Sequence, residues 1–327
     1  MRLATSFPMH PAIDTFLRAA TAVADTPALA DWLPNWQRCL AAGGPPIVLA
    51  ARGGFAADRL AWAFAAGYQA ALRTLLPGVG PQELLSLCLT ETTGKRPREL
   101  RCTATRQADG HWLWHGHKSW AAFGAACTTM LVIARSGDGA GATGASSDST
   151  AQPQLLALRV PHDAPGVHLD GMPATGLIPE LPHGRLDLQQ VLLPADACLP
   201  GDGYSDFAKP FATLEDLNVG AAVLAYLLRE ARARSWPAAL RERLVATLAF
   251  LVSLAEEPLA AAATQLALAG ALDWARQMHT EAAALFAVSP DDPTAQRWQR
   301  DAKLLGVLGS ARAQRAARAW EQLAASD

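Results

Sequence analysis

Apolar residues along this chain recur with two different periods. From residue 11 to residue 86 the spacing is helical: Ile13, Phe16, Leu17, Ala20 and Val23 make one stripe, and Leu29, Trp32, Leu33, Trp36 and Leu40 make a second. Gly43, Gly44, Pro45 and Pro46 break the second helix. The brief apolar run Ile47 to Ala50 then leads into Arg52, Gly53 and Gly54, which read as a turn, and a long Ala-rich helix is predicted from about Ala56 to Leu76.

Between Leu87 and Trp120 the text changes. Leu87, Cys88 and Leu89 form a short apolar run ending in Thr90 and Glu91; after a polar loop, Cys102 to Thr105 resumes as a second strand. Ala108, Asp109 and Gly110 are a turn signal, His111 to Trp114 a further strand, and His115, Gly116 and His117 a second turn before Lys118, Ser119 and Trp120. Turn residues between short β-prone runs predict an antiparallel meander. Met130 to Ala134, Leu155 to Val160 and Leu186 to Leu193 read as later strands. From Ser136 to Gln154 the chain is Gly/Ser/Thr/Ala-rich and cannot offset its ordering entropy by burial, so a mobile loop is expected. The rest returns to helical spacing over 211–235, 237–256, 259–287 and 294–325. Pro237, Pro258 and Pro293 lie near three of the starts, where a missing N–H costs little. Four long helices with short connections predict an antiparallel bundle.

Composition narrows the function classes. Half of the 327 residues are apolar, enough for a sizeable core, and 28 basic against 30 acidic residues leave a net charge of -2 with no basic run, which argues against nucleic acid. The five cysteines show no CxxC and no histidine pairing of metal-ligand type, so they read as reduced, buried thiols. The first residues lack a long apolar segment with a cleavage site, and no uninterrupted apolar run approaches the ~20 residues of a membrane span. A cytoplasmic, unanchored protein is expected.

The ordered set of Thr90-Glu91, Thr103-x-Thr105, Asp109-Gly110, Gly116-x-Lys118-x-Trp120 resembles the middle β domain of the acyl-CoA dehydrogenase family, flavoproteins that desaturate acyl thioesters. Arg300, Asp301, Ala302 and Lys303 resemble a tetrapeptide of the family's final helices. The resemblance implies an α+β multidomain fold: an N-terminal helical domain (1–83), a middle antiparallel β-barrel or sandwich domain (84–203) and a C-terminal four-helix bundle (204–327). It also implies FAD. Leu87 and Leu89 through main-chain groups, the Thr90 hydroxyl, the Trp120 indole and the Ala122 position match the family's flavin contacts. Read without the resemblance, Trp120 is a core aromatic and Thr90 a strand hydroxyl.

The chain departs from the pattern at several points. Lys95 and Arg96 stand where the family's loop has a glycine and a serine, making a bulky cationic loop that either clashes with the usual ligand or attracts substrate phosphates by charge. Ala122 lacks the hydroxyl the family offers the ring; losing one neutral hydrogen bond costs on the order of 1 kcal/mol. The N-terminal helical segment is shorter than usual, so part of the acyl-chain pocket is in question. The stretch that normally carries the catalytic glutamate reads Val307, Leu308, Gly309, Ser310, Ala311, without a carboxylate. Some members place that base early in the first helix of the C-terminal domain, and Glu215 occupies that position, although Asp216 replaces the arginine that follows it. Glu215 and Asp216 also read as acidic residues favouring a helix start. Arg232, Arg234 and Arg241 lie near the place where the family grips the adenine half of FAD across a subunit interface.

Three functions are therefore carried forward: an FAD-dependent oxidoreductase desaturating an acyl thioester with Glu215 as base; a catalytically degenerate member acting as partner subunit or binding module; and a flavin-dependent monooxygenase on the same scaffold. The missing base and the cationic loop favour the second or third, and the retained Thr90 and Trp120 favour flavin. Expected partners are the thioester, an electron-transfer protein and further subunits, in a homodimer, homotetramer or heteromer.

Overall fold

Proline and glycine punctuation divides the first third of the chain into four helices: α1 (Pro11–Arg18), α2 (Leu29–Ala41), α3 (Pro46–Ala56) and α4 (Leu60–Leu75). A computed structural model describes residues 11–137, 153–307 and 309–325, so most of the expected mobile loop, 138–152, lies outside the described residues. Two units emerge. One gathers Met1–Thr74, Gly176–Glu180 and Thr213–Asp327; the other gathers Leu75–Thr175 and Leu181–Ala212.

In the helical unit the N-terminal helices join α5 (Lys209–Ala233), α6 (Ala238–Leu254), α7 (Ala262–Phe286), α8 (Pro293–Asp301), α9 (Leu304–Val307) and α10 (Gly309–Ala324). The predicted final helix is thus broken after Asp301. The stripe containing Trp32 and Trp36 turns inward, and the two indoles stack with ring centroids 5.8 Å apart while Trp62 of α4 stacks on Trp32 at 5.6 Å.

Gly53 and Gly54 do not form the expected turn. Both lie inside α3 and are buried. A Cβ on Gly54 would collide with the carbonyl of Ala222 in α5, and one on Gly67 of α4 would sit 2.5 Å from the Cα of Val219. The helices meet here backbone against backbone, and only glycine permits that approach. Tertiary packing has overridden the local breaker signal.

A polar network also runs through this unit. Arg59 donates to Asp58 at 2.6 Å and to Glu180 at 3.3 Å, and Arg300 donates to Glu180 at 2.9 Å and to Asp301 at 2.7 Å. Asp301 accepts in turn from the backbone N–H of Ile178 at 2.8 Å. Ile178 has φ 42°, a sterically costly conformation for a β-branched residue that this hydrogen bond holds in place. Burial raises the Glu180 carboxyl, but hydrogen bonds from Arg300 and Arg59 outweigh it and leave it below its ordinary range.

The second unit is a seven-stranded mixed sheet: β1 (Leu85–Cys88), β2 (Thr103–Arg106), β3 (Trp112–Ala122), β4 (Thr129–Ser136), β5 (Leu155–Pro161), β6 (Val167–Gly171) and β7 (His183–Leu193). β4 is its middle. It pairs antiparallel with β5 along one edge; along the other it pairs in parallel first with β1, Leu85 opposite Thr129, and then with β2, Thr103 opposite Arg135. The meander is confined to β2–β3 and β6–β7, with β3 against β7. Leu131, Ile133, Leu155 and Ala157 of β4 and β5 pack with Leu100 and Phe207 into an apolar core.

His115, Gly116 and His117 are not a turn either. β3 runs unbroken through them, and the register against β7 shifts between Trp114 and Gly116. Gly116 has φ +133°, and a Cβ there would lie 2.7 Å from the Cα of Cys102. The glycine makes a bulge that bends the strand and lets it continue.

The packing at Gly54 reverses a propensity argument. Alanine is favoured over glycine in a helix by about 1 kcal/mol, yet Gly54→Ala is expected to lower stability by about 1–3 kcal/mol because its methyl group would have to displace α5. Urea unfolding monitored by circular dichroism checks this; a stabilised variant would show that α3 and α5 do not meet at this point.

Candidate flavin platform

The chain just beyond β1 and the middle of β3 are joined by a buried ion pair. Lys118 Nζ donates to Glu91 Oε1 at 2.6 Å, with side-chain exposures of 0% and 1%. A buried carboxylate is stable only when its lone pairs are satisfied. The second oxygen of Glu91 accepts from the backbone N–H of Arg101 at 2.6 Å, and Oε1 also accepts from Cys102 N at 3.1 Å. Lys118 donates further to the carbonyl of Leu89 at 3.3 Å. Two side chains thereby hold the end of β1, the return into β2 and the middle of β3.

This arrangement sets the positions of the candidate cofactor residues. Ser119 N donates to the carbonyl of Thr90 at 2.8 Å, bringing Thr90 alongside the residue next to Trp120. The Thr90 side chain is half-buried, and its hydroxyl makes no hydrogen bond among the described residues. Trp120 is 43% exposed, which removes the core-aromatic reading. Its indole meets His183 of β7 edge to face, centroids 5.6 Å apart at 86°. Burial lowers the pKa of His183 and so favours the neutral imidazole against the indole. Leu87 and Leu89 are half-buried against the sheet core, and Ala122 lies opposite His183 in the β3–β7 ladder.

The cationic loop has its own order. Glu91 and Gly94 exchange backbone hydrogen bonds of 2.8 and 3.1 Å, and the Glu99 carboxylate accepts from the N–H groups of Lys95 and Arg96 at 3.0 and 2.9 Å. The loop backbone is held while the Lys95 and Arg96 side chains project into solvent.

In the helical unit, Glu215 is half-buried in the early part of α5. Its neighbour Asp216 is buried, accepts from Arg312 of α10 at 2.8 Å and also pairs with Arg315. The acid that stands in place of the expected arginine is thus neutralised by arginines from another helix. Arg232 donates to the carbonyl of Phe16 at 2.6 Å, and Arg234 pairs with Glu230 at 2.7 Å and with Asp292, so both are engaged within this unit. Backbone positions 307 and 309–311 are described but their side chains are not, and Leu308 lies outside the described residues.

Other chemistries find little support. No group of three or more His, Cys, Asp or Glu able to hold a metal occurs among the described residues, and exposed His115 and His117 remain without a further ligand. The five cysteines are unpaired, and burial pushes the Cys88 thiol up to about 12 and Cys102 up to about 11, well away from a reactive thiolate. One described helical stretch, Gly203–Ala233, is apolar and long enough to cross a membrane, but 83% of its most apolar window is buried, as in a core helix.

No family model and no curated protein matches the sequence. Solved structures do match. Butyryl-CoA dehydrogenase from Megasphaera elsdenii superposes with a TM-score of 0.66 at 16% identity, covering 95% of this chain and 96% of that one. This chain has the acyl-CoA dehydrogenase fold. A glutaryl-CoA dehydrogenase from Mycobacterium smegmatis in complex with FADH2 gives 0.57 at 16% identity over 93% and 89% of the two chains. FkbI, described as serving biosynthesis of the methoxymalonyl extender unit of Fk520, gives 0.59 at 19% over 84% of each.

The residues of this acyl-CoA dehydrogenase-like fold fit a flavin on the sheet side: an exposed indole on β3 and an uncommitted hydroxyl on the neighbouring segment lie on chain that an ion pair fixes. Sequence reading singled out Thr90 and Trp120 but gave no role to Lys118 or to the Glu91 carboxylate, and it missed His183. The first two were visible within the Thr-Glu and Lys-x-Trp signatures; His183 carries no local signal.

Removing the amine should leave Glu91 buried without its counter-ion. Lys118→Met is expected to cost about 3–5 kcal/mol, read from the shift of the urea midpoint; unchanged stability would show that the pair does not hold the strand ends.

Proposed function

We propose that this chain is a flavin-dependent oxidoreductase acting on an acyl thioester, with Trp120 and Thr90 holding FAD and Glu215 serving as base. The observation that carries the reading is Trp120, exposed on a strand whose neighbouring residue Ser119 is bonded to Thr90 and whose Lys118 is locked to Glu91. Bound FAD would supply a two-electron acceptor. Trp120 supplies a flat apolar wall, and Thr90 offers its hydroxyl to the polar edge of the ring. His183 stays uncharged and keeps the indole at a set angle. Ala122 offers no side-chain hydrogen bond, so flavin is held by one contact fewer than the family pattern provides.

Desaturation also requires removal of the proton alpha to the thioester carbonyl, and Glu215 of α5, at the position where some members of the family carry the base, would take that role. With Asp216 bound by Arg312 and Arg315, the adjacent acid is not available as an alternative base. Exposed Lys95 and Arg96 suit the phosphates of a thioester carrier. Electrons would leave to a separate carrier protein; one similar structure is described as an electron transferring flavoprotein of Acidaminococcus fermentans.

One observation favours the second reading, a member that binds flavin or a partner without turnover. The backbone approaches at Gly54–Ala222 and Gly67–Val219 leave no room for an acyl chain at those two points. A short acyl group remains compatible with both readings.

Absorbance and turnover separate these outcomes. The purified chain should be yellow or should take up added FAD, and Trp120→Ala should weaken that binding by about tenfold or more, corresponding to at least ~1.4 kcal/mol. A colourless chain that does not quench flavin fluorescence would remove the flavoprotein reading. Glu215→Gln should abolish desaturation of short-chain acyl thioesters while leaving flavin bound; unchanged turnover would exclude Glu215 as the base.

A further inference from the structure

The helical unit contains a cavity of about 390 Å³ lined by α5, α7 and the segment around α9. Pockets of a few hundred Å³ that combine apolar walls with a few convergent polar groups are the usual form of small-ligand sites. Val219, Val223 and Leu272 contribute apolar wall. Arg276, Lys303 and Arg312 also line the cavity together with one acid, Asp216, and Arg276 is paired in addition with Asp273. Asp216 is shared between Arg312 and Arg315, so the two arginines outnumber it and positive charge remains. Lys303 is exposed, and its ammonium has no partner among the described residues.

His279 of α7 supplies the polar group inside. Its Nε2 is buried and makes no hydrogen bond, while its ring packs against Trp298 with centroids 6.1 Å apart. Burial, aided by the Arg312 charge, lowers its pKa to about 4, so near neutral pH the ring is uncharged and able to donate a single hydrogen bond.

We propose that this cavity binds a small amphipathic carboxylate, with its alkyl part against Val219, Val223 and Leu272 and its carboxylate between Lys303 and Arg276, within reach of the His279 ring. The apolar walls require a tail, and the excess of cations at a largely apolar cavity selects a monoanion over a neutral alcohol or a highly charged phosphate ester. The site belongs wholly to the helical unit. Its occupant is a free acid, whereas the proposed substrate is a thioester.

Calorimetric titration of the full chain with octanoate tests this without reading flavin or turnover. Octanoate should bind saturably with one site per chain and shift the NMR signals of the His279 ring, and 1-octanol should bind at least about tenfold more weakly. Lys303→Glu should weaken octanoate by about tenfold or more. Gly306→Leu should also weaken it, because Gly306 lines the cavity and a Cβ there meets no atom within 4 Å, so a larger side chain can be placed at the cavity wall without a clash at its Cβ. Absence of saturable octanoate binding, affinity unchanged in both variants, or inorganic phosphate binding as tightly as octanoate would each overturn the proposal.

Discussion

The ion pair between Glu91 and Lys118 is the constraint on which the sheet unit depends. Both charges are removed from water, and such a pair is tolerable only when the remaining lone pairs and protons are also satisfied. Here the backbone N–H groups of Arg101 and Cys102 and the carbonyl of Leu89 complete the set. The consequence is geometric. Three separate pieces of chain, the exit of β1, the entrance to β2 and the middle of β3, cannot shift independently without exposing or orphaning a charge. Thr90 and Trp120 inherit their positions from that lock, and an exposed indole that would otherwise rotate freely is held against His183.

The helical unit is organised by a different device. Gly54 and Gly67 let α3 and α4 approach α5 without an intervening side-chain layer, so dispersion and backbone fit replace interdigitated side chains. The Arg-Asp-Ala-Lys tetrapeptide then acquires a physical meaning: Arg300 holds Glu180, and Asp301 holds the N–H of Ile178, so the tetrapeptide binds the segment Gly176–Glu180 into this unit. Charge is rearranged as well. An acid at position 216 stands where the resemblance leads one to expect an arginine, and Arg312 and Arg315 supply the compensating charge from α10. A substitution that looks disabling in isolation is locally balanced.

Together these features describe a scaffold whose Thr90-to-Trp120 segment keeps the family's signature more fully than the helices that follow it. The strand ends that would position a ring are clamped and satisfied. The stretch in which the resemblance leads one to expect a carboxylate, Val307 to Ala311, contains none, and Glu215 lies half-buried on α5. At 16–19% identity to the three dehydrogenase-fold structures compared, likeness establishes the fold, and the chemistry rests on these particular side chains.

What the sequence by itself determined was the order of its parts: helical periodicity, then short β runs with turn signals, then helical periodicity again, together with the Thr90 to Trp120 signature. Those are local properties, because the side-chain period and the identity of turn residues are written in neighbouring positions. Its errors also had local causes. Gly53-Gly54 and His115-Gly116-His117 look like breaks, since glycine is the usual residue of turns. Yet one pair lies inside a helix because another helix needs the space, and the other lies in a continuous strand because Cys102 approaches it. Tertiary structure alone decided that β4 separates β5 from β1 and β2, that His183 meets Trp120, and that Asp216 is paired with Arg312 and Arg315. Each of these joins residues far apart in the chain, where no short-range pattern carries information and only the shared burial of distant groups selects the partner.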